Sequence, residues 1–328
     1  MNAIDLFCGA GGLTLGLKRA GWNVVASVEI DKYASETHRT NFPLCTHLEC
    51  DIQKVDWSDY RGKVDLVAGG PPCQPFSVSG KQKGHEDDRD MVPEFIRAVS
   101  EIKPRAFLLE NVKGLSLSKF KWYLDEKIAC LESLGYQVTH KVLNSADYGI
   151  PQQRERLIVV GLRDEKFEFP EPTHGSEKHP WISVGEALKG TPDDEANTAK
   201  IVYCKNPVLR KSPYAGLFLN GKGRPLNLNA PSLTIPATAG GNRTHILDPD
   251  EVLVKYHTHL MNGGKPLVGE VPGCRRLTLR ECARIQTFPD GFVFVGPRSK
   301  MYSQVGNAVP PLLAEKITKH LLCSLGDD

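Results

Sequence analysis

Ala3-Ile4-Asp5-Leu6-Phe7-Cys8-Gly9-Ala10-Gly11-Gly12-Leu13-Thr14-Leu15-Gly16-Leu17-Lys18-Arg19-Ala20-Gly21 is the stretch on which the fold class turns. Ala3 to Phe7 is an apolar run of strand length, Cys8 to Gly12 a glycine loop, and Leu13 to Ala20 reads as a helix. Gly21 stands at the C-terminal end of that helix, where a left-handed residue is wanted. Strand, glycine loop and helix then recur along the chain. Asn23 to Glu29 is a second strand, and Asp31 caps a helix running to about Phe42, which Pro43 stops. Val64 to Ala68 and Ala106 to Leu109 are further buried strands around a helix at Val92 to Ile102. A helix from Lys119 to Leu134 and strands at Gln137 to Asn144 and Leu157 to Gly161 complete the pattern. The alternation predicts an α/β domain with an open, mostly parallel sheet and helices on both faces.

At 328 residues, with about 150 per domain, two domains are expected. Hydrophobic residues at 40% and charged residues at 24% exclude a disordered, collagen-like or coiled-coil chain. The nine cysteines are odd in number, scattered and without a C-x-x-C pair. That argues against a disulfide framework or a structural zinc site and for a reducing cytoplasm. His257 and His259 sit two apart without further ligands at metal-binding spacing, and read as polar loop or strand residues rather than a metal site. No apolar stretch approaches a membrane span, and Asp5 interrupts the first apolar run, so neither a membrane segment nor a secretory leader is expected.

From about Pro170 the texture changes to frequent Pro, Gly and Asn, with no long helical periodicity until Thr278. This predicts a smaller, loop-rich second domain at 173–300, inserted between a first domain at 1–172 and a terminal segment at 301–328 that rejoins it and leaves a cleft. Thr278-Leu279-Arg280-Glu281 fits a capping box, and Asn307 is placed to cap a last helix carrying Leu312, Leu313, Ile317 and Leu321.

The net charge of +2 is at first sight a mild argument against a nucleic-acid partner. Between Ile201 and Leu247, however, stand six basic residues (Lys205, Arg210, Lys211, Lys222, Arg224, Arg243) and no acidic one. That leaves 35 basic against 39 acidic residues, a net of −4, in the remainder. Charge clusters are most often solvated faces. The interleaved Gly221, Gly223, Gly240, Gly241 and Asn242 favour recognition loops that let backbone approach a groove.

The glycine loop after the first strand suits close approach of a ligand to backbone and helix N-terminus. Glu29, ending the second strand, is positioned for ribose hydroxyls. Thr14 occupies the third glycine position of the G-x-G-x-x-G fingerprint, which weakens a nicotinamide reading. Asp51, after the third apolar stretch, suits an adenine amine or merely caps a loop. Gly69-Gly70-Pro71-Pro72-Cys73-Gln74-Pro75-Phe76-Ser77 begins where the strand Val64 to Ala68 ends. Most lone cysteines are inert buried hydrophobes, but one held between prolines in a polar loop at the ligand edge reads as a nucleophile. Glu110 closes the next strand at the same edge, as a loop cap or an acid–base group. Gln152-Gln153-Arg154-Glu155-Arg156 opens another strand, with two arginines on one face at period two.

Asp-Leu-Phe-x-Gly-x-Gly-Gly at 5–12, Gly-Pro-Pro-Cys-Gln at 70–74, Glu-Asn-Val at 110–112, Gln-x-Arg-x-Arg at 152–156, Arg-Arg-Leu-Thr-x-Arg-Glu at 275–281 and Gly-Asn-Ala-Val at 306–309 occur in this order. Together they closely resemble the DNA (cytosine-5) methyltransferases, above all the short bacterial modification enzymes. The match runs nearly end to end and is poorest at about 173 to 274. The resemblance implies a Rossmann-like fold dependent on S-adenosylmethionine, a target-recognition domain, and double-stranded DNA as partner. It implies a cytoplasmic monomer that serves as the modification half of a restriction-modification system, beside an endonuclease it need not bind.

The resemblance also assigns roles. Cys73 becomes the thiolate that attacks cytosine carbon 6, Glu110 the contact to ring nitrogen 3 and the exocyclic amine, and Arg154 and Arg156 orient the adduct. Phe7, Gly9, Gly11, Gly12, Glu29, Asp51, Pro72, Asn307 and Val309 are implied around the cofactor. Gln74, Ser79, Arg89, Lys222, Arg224, Thr234 and Arg243 are implied on DNA, with the target base flipped out of the stack. Asp88 and Asp90 depart from the family pattern, where proline and glycine are common. The base that removes the carbon 5 proton is not identified, and water is an alternative.

Three other readings compete. A transfer-RNA cytosine methyltransferase typically carries a Cys-Phe-Thr tripeptide, which is absent here. A non-catalytic DNA-binding relative sits badly with Cys73, Glu110 and Arg156 all present. A nicotinamide oxidoreductase leaves the cysteine loop without a role.

Overall fold

The computed structural model describes residues 1–72, 90–221, 223–237 and 243–326. In chain order the first elements are β1 (Asn2–Leu6), α1 (Gly12–Ala20), β2 (Asn23–Val28), α2 (Lys32–Asn41), β3 (Thr46–Leu48), β4 (Leu66–Gly69), α3 (Val92–Ile102) and β5 (Ala106–Val112). They are followed by α4 (Lys121–Ser133), β6 (Gln137–Asn144), β7 (Gln152–Gln153) and β8 (Glu155–Leu162). After them come α5 (Val184–Ala187), β9 (Tyr203–Val208), β10 (Leu217–Leu219), β11 (Ser232–Leu233), β12 (Ile246–Leu247), α6 (Val252–Met261), β13 (Arg275–Arg276), α7 (Leu279–Ile285), α8 (Arg298–Asn307) and α9 (Pro311–Leu325). Among the described residues no helix is long and apolar enough to cross a membrane. The chain divides into two compact units: Met1–Tyr148 with Arg154–Thr173 and Ala308–Asp328, and Gly149–Gln153 with His174–Asn307.

The first unit is built on a seven-stranded sheet in the order β3-β2-β1-β4-β5-β8-β6. β3 to β5 pair in parallel, and β8 runs antiparallel to both β5 and β6. This is the expected mostly parallel α/β sheet. The inward strand residues Ile4, Leu6, Val67, Phe107, Leu109 and Val159 pack with Phe95, Val99 and Ile102 of α3 in one buried cluster, each full burial stabilising by roughly 1.5–3 kcal/mol. α9 closes the sheet's other side through α1. A Cβ on Gly16 would lie 2.3 Å from that of Ala314, and Trp22 Nε1 donates to Thr318 O at 2.9 Å. α1 ends as expected at Gly21, whose φ is 103°, and Asp31 caps α2 by accepting from the amides of Tyr33 and Ala34.

The second unit has a smaller core of Ile201, Phe218, Leu219, Ile246, Leu253, Tyr256, Leu260 and Val271. Its strands are short, and a buried arginine supplies part of what a ladder otherwise would. Arg276, 0% exposed, donates from Nη1 to Thr244 O at 2.7 Å and from Nη2 to Asn220 O at 3.1 Å. Arg275 forks onto Glu281 at 2.8 and 2.6 Å, and Thr278 and Glu281 form the expected capping box.

Three local expectations are corrected. His257 and His259 lie on α6, because Leu253, Tyr256 and Leu260 form a buried helical stripe and the Asp248 carboxylate accepts from the Val252 and Leu253 amides at 2.8 Å. Asn307 ends α8 rather than capping the last helix, which starts after Pro310. β5 continues through Val112, so Glu110 lies inside a strand and not beyond it.

Candidate active site

The order β2-β1-β4 reverses direction between β1 and β4, and open α/β sheets bind ligands beyond the strand ends at such a point. Two loops leave there: Phe7 to Gly11 after β1, and Gly70 onward after β4. The first is strained by design. Phe7 has φ 59°, a left-handed conformation uncommon outside glycine, and Gly9 and Gly11 follow at 55° and 94°. The two glycines serve different ends. A Cβ on Gly11 would lie 2.4 Å from the Phe42 ring, so Gly11 is needed for packing, whereas one on Gly9 would meet open space. Gly12 opens α1.

Glu29 fastens this loop to the end of β2. Its carboxylate accepts from Gly9 N at 2.9 Å and Asp31 N at 2.7 Å. Burial raises its pKa, and those backbone donors oppose the rise. Ile30 beside it is 70% exposed, an apolar surface the sequence reading passed over because exposed aliphatics carry no motif. Asp51 caps the turn at Ile52–Lys54, accepting from Gln53 N at 3.0 Å. Cys8 is buried, and desolvation first and the charges of Asp5 and Glu29 next push its thiol well above the ordinary range. It is therefore inert.

The residues present fit an adenosyl cofactor. Open space lies beside Gly9, and the Glu29 carboxylate at the end of β2 has four lone-pair sites against three backbone donors, which leaves acceptor capacity for a ribose hydroxyl.

At the second loop, Gly69 lets β4 approach β1: a Cβ there would lie 2.5 Å from Leu6 O. At Gly70 a Cβ would crowd Glu110 Oε2 at 3.2 Å, so the glycine keeps the loop close over that carboxylate. Asn111 Nδ2 donates to Pro71 O at 3.2 Å. Cys73, Gln74, Ser79 and Arg89 lie outside the described residues, as does Lys222; Pro72 is the last residue before that gap and is exposed.

The register of β5 and β8 explains the charges beneath. Val112 faces Arg156 and Glu110 faces Ile158, so Glu110 and Arg156 are diagonal neighbours on one face. Arg156 Nε lies 2.9 Å from Glu110 Oε1 as an ion pair outside hydrogen-bond alignment. Arg154 precedes β8 rather than sharing its ladder. It is 1% exposed, donates from Nη2 to Ala308 O at 3.0 Å and from its amide to Asn144 Oδ1 at 3.2 Å. Burial and the Arg156 charge lower its pKa well below that of a free guanidinium, and Glu110 opposes them. Glu110, Arg154 and Arg156 are thus one charge cluster, with Gly70 against its carboxylate. Val309 is buried in this unit.

In the second unit Asn307 ends α8, with Nδ2 3.5 Å from Ser303 Oγ. Gly306 packs so closely that a Cβ would lie 2.4 Å from Pro236 O. Thr234 is exposed, but its hydroxyl donates to Gln153 O at 2.8 Å while Ile235 is buried. Arg224 is half-buried, its carbonyl accepting from Ile246 N. Arg243 is exposed, as are Lys205, Arg210 and Lys211.

A Rossmann-like sheet with a glycine loop at its switch point and a largely covered carboxylate–guanidinium pair at the same edge is the architecture of the methyltransferase fold class. The C-5 cytosine-specific DNA methylase family model matches residues 1–323, and the chain belongs to that family. It is a DNA (cytosine-5-)-methyltransferase. It is 38% identical to the type II methyltransferase M.PspPI of Psychrobacter sp., over 98% of this chain and 79% of that one. To M.NgoMIV of Neisseria gonorrhoeae it is 35% identical, over 99% and 98%. The fold is shared with the S. pombe Dnmt2 methyltransferase, at TM-score 0.73 and 19% identity over the whole of both chains. The family uses S-adenosylmethionine as methyl donor.

Proposed function

We propose that the chain methylates carbon 5 of a flipped-out cytosine in a short duplex DNA sequence, with Cys73 as nucleophile. The observation that carries this is the Glu110–Arg156 pair with its carboxylate against Gly70, three residues before Cys73 in the chain. Addition of the Cys73 thiolate to carbon 6 puts charge onto the ring. Glu110, facing nitrogen 3 and the exocyclic amine, stabilises that charge, and carbon 5 becomes electron-rich. Arg156 holds Glu110, and Arg154, anchored on backbone, holds the cluster's geometry. Loss of the carbon 5 proton then lets the thiolate leave by elimination.

S-Adenosylmethionine supplies the methyl group when bound. Gly9, Gly11, Gly12 and Glu29 would hold its methionine and ribose parts and Phe7, Ile30 and Asp51 its adenine, with Pro72, Asn307 and Val309 as further cofactor residues. Residues 1–172 and 301–328 are read as catalytic, and residues 173–300 as target-recognising through Arg224, Thr234, Arg243, Lys222 and, from the cysteine loop, Gln74, Ser79 and Arg89. The printed class of the relatives, type II methyltransferases, supports a role as the modification half of a restriction-modification system. In this reading the chain is a monomer in the bacterial cytoplasm, beside an endonuclease that shares its recognition sequence. The test is tritiated methyl transfer to cytosine in duplex DNA. Transfer is expected for the parent chain and lost in Cys73→Ala; label only in RNA, or surviving that substitution, overturns the reading.

A further inference from the structure

The described residues on either side of 73–89 are held together at the sheet edge. Pro71 O accepts from Asn111 Nδ2 at 3.2 Å, and Pro72 O accepts from Met91 N at 3.2 Å. The chain that carries Cys73 therefore departs from and returns to a single neck beside β5. Asp90 sits in that neck and bridges two helices. One of its oxygens accepts from Val92 N at 3.2 Å at the start of α3, and the other accepts from the Tyr123 hydroxyl of α4. Tyr123 is 1% exposed, its ring in the core cluster, so its hydroxyl is a fixed donor. A phenol donating to a carboxyl group is among the stronger hydrogen bonds. Asp90 is also one of the two positions at which the sequence departs from its family pattern, where glycine is common. This chain thus replaces a flexible residue with a bonded one.

We propose that Asp90 and Tyr123 are positioning residues for methyl transfer: their bond fixes the return end of the Cys73 segment and so sets how the nucleophile is presented, without touching cofactor or DNA themselves. The proposal rests on Cys73 being the nucleophile. Presentation errors of about an ångström cost turnover rather than binding.

The experiment is a double-mutant cycle in the full chain, scored by kcat and by KM for S-adenosylmethionine at saturating duplex DNA. Tyr123→Phe is expected to lower kcat roughly tenfold, about 1.4 kcal/mol, with KM unchanged. Asp90→Gly, which also removes the Val92 bond, should fall at least as far, and the double variant should fall no further than Asp90→Gly, because the Tyr123 bond is already gone there. Asp90→Asn, whose amide oxygen still accepts from Val92 N and whose amide N–H can donate to the Tyr123 oxygen with that bond reversed, should retain activity within about twofold of the parent. Multiplicative losses in the double variant, or unchanged kcat in Tyr123→Phe while Cys73→Ala is inactive, overturn the positioning role alone. Activity surviving Cys73→Ala overturns it together with the nucleophile assignment.

Discussion

At the residue scale, the largest surprise lies under the glycine loop. Thr14, notable in the sequence only as a missing glycine, is the middle of a buried polar chain. Its Oγ1 is 2.6 Å from Asp5 Oδ2 and 2.8 Å from His38 Nε2, and His38 Nδ1 is 3.1 Å from His47 Nδ1. His47 Nε2 is 3.0 Å from Phe42 O. Donor direction follows from that carbonyl, which only accepts. His47 Nε2 therefore donates to Phe42 O, while Thr14 Oγ1 donates to Asp5 Oδ2 and, with its one hydrogen so used, accepts from His38 Nε2. Burial lowers the pKa of His38 to about 3, so it stays neutral. The Asp5 pKa is raised to about 7, by burial first, with the Thr14 bonds opposing and the Glu29 charge adding. Below pH 4 folded and unfolded chains both hold this proton. Between about 4 and 7 only the folded chain does, so stability should fall with rising pH there by about 1.4 kcal/mol per unit and level off above. Asp5→Asn, whose amide oxygen still accepts from Thr14, should lack that decline when denaturant unfolding is compared at pH 5 and 7. An unchanged pH slope in the variant sinks the assignment.

At the element scale, what was legible was what is periodic and buried. The strands of the parallel sheet and α3 stand close to where apolar runs put them, because both faces of such a sheet exclude water and leave unbroken hydrophobic stretches. Glu110 was misplaced by that logic. A carboxylate breaks an apolar run, yet β5 continues past it because Arg156 compensates the charge. Arg154 and Arg156 read as one face of one strand, but the break between β7 and β8 separates them. α6 was hidden by its two histidines, and α8 by a mixture of polar residues without a long apolar stripe. Gly16 was silent as well, since its meaning depends on α9, nearly the whole chain away. Gly16→Ala gains up to about 1 kcal/mol of helix propensity. The added methyl, however, would lie 2.3 Å from Ala314 Cβ and 2.7 Å from Pro311 O, and overpacking of that kind costs about 1–3 kcal/mol. Backbone oxygen cannot turn aside as a side chain can, so the cost wins. A lower thermal midpoint for Gly16→Ala is expected, and an unchanged or raised one would show that α9 shifts freely.

At the scale of the whole molecule, net charge is the quantity that misleads when read as a sum. The +2 of the chain combines an acid-free stretch, Ile201 to Leu247, with a remainder of −4. Composition could reveal that asymmetry but not which cations are available, because availability depends on three-dimensional burial. The structure separates the stretch's own cations, Arg224 being half-buried and Arg243 exposed, and Arg276 beyond the stretch shows the other extreme, wholly buried and spent on carbonyls. A buried arginine satisfied by backbone releases no counterion from DNA, whereas an exposed one on a phosphate releases nearly one. Arg243→Ala is therefore expected to weaken duplex binding and to reduce the slope of log K against log salt by about 1. Arg224→Ala should weaken binding with a smaller change in slope, through loss of packing at its half-buried site. Fluorescence anisotropy with one duplex over a salt series reads both quantities. If Arg243→Ala leaves the slope at the parent value, the exposed cations of this stretch face solvent, and the basic segment is not where the backbone of DNA is held.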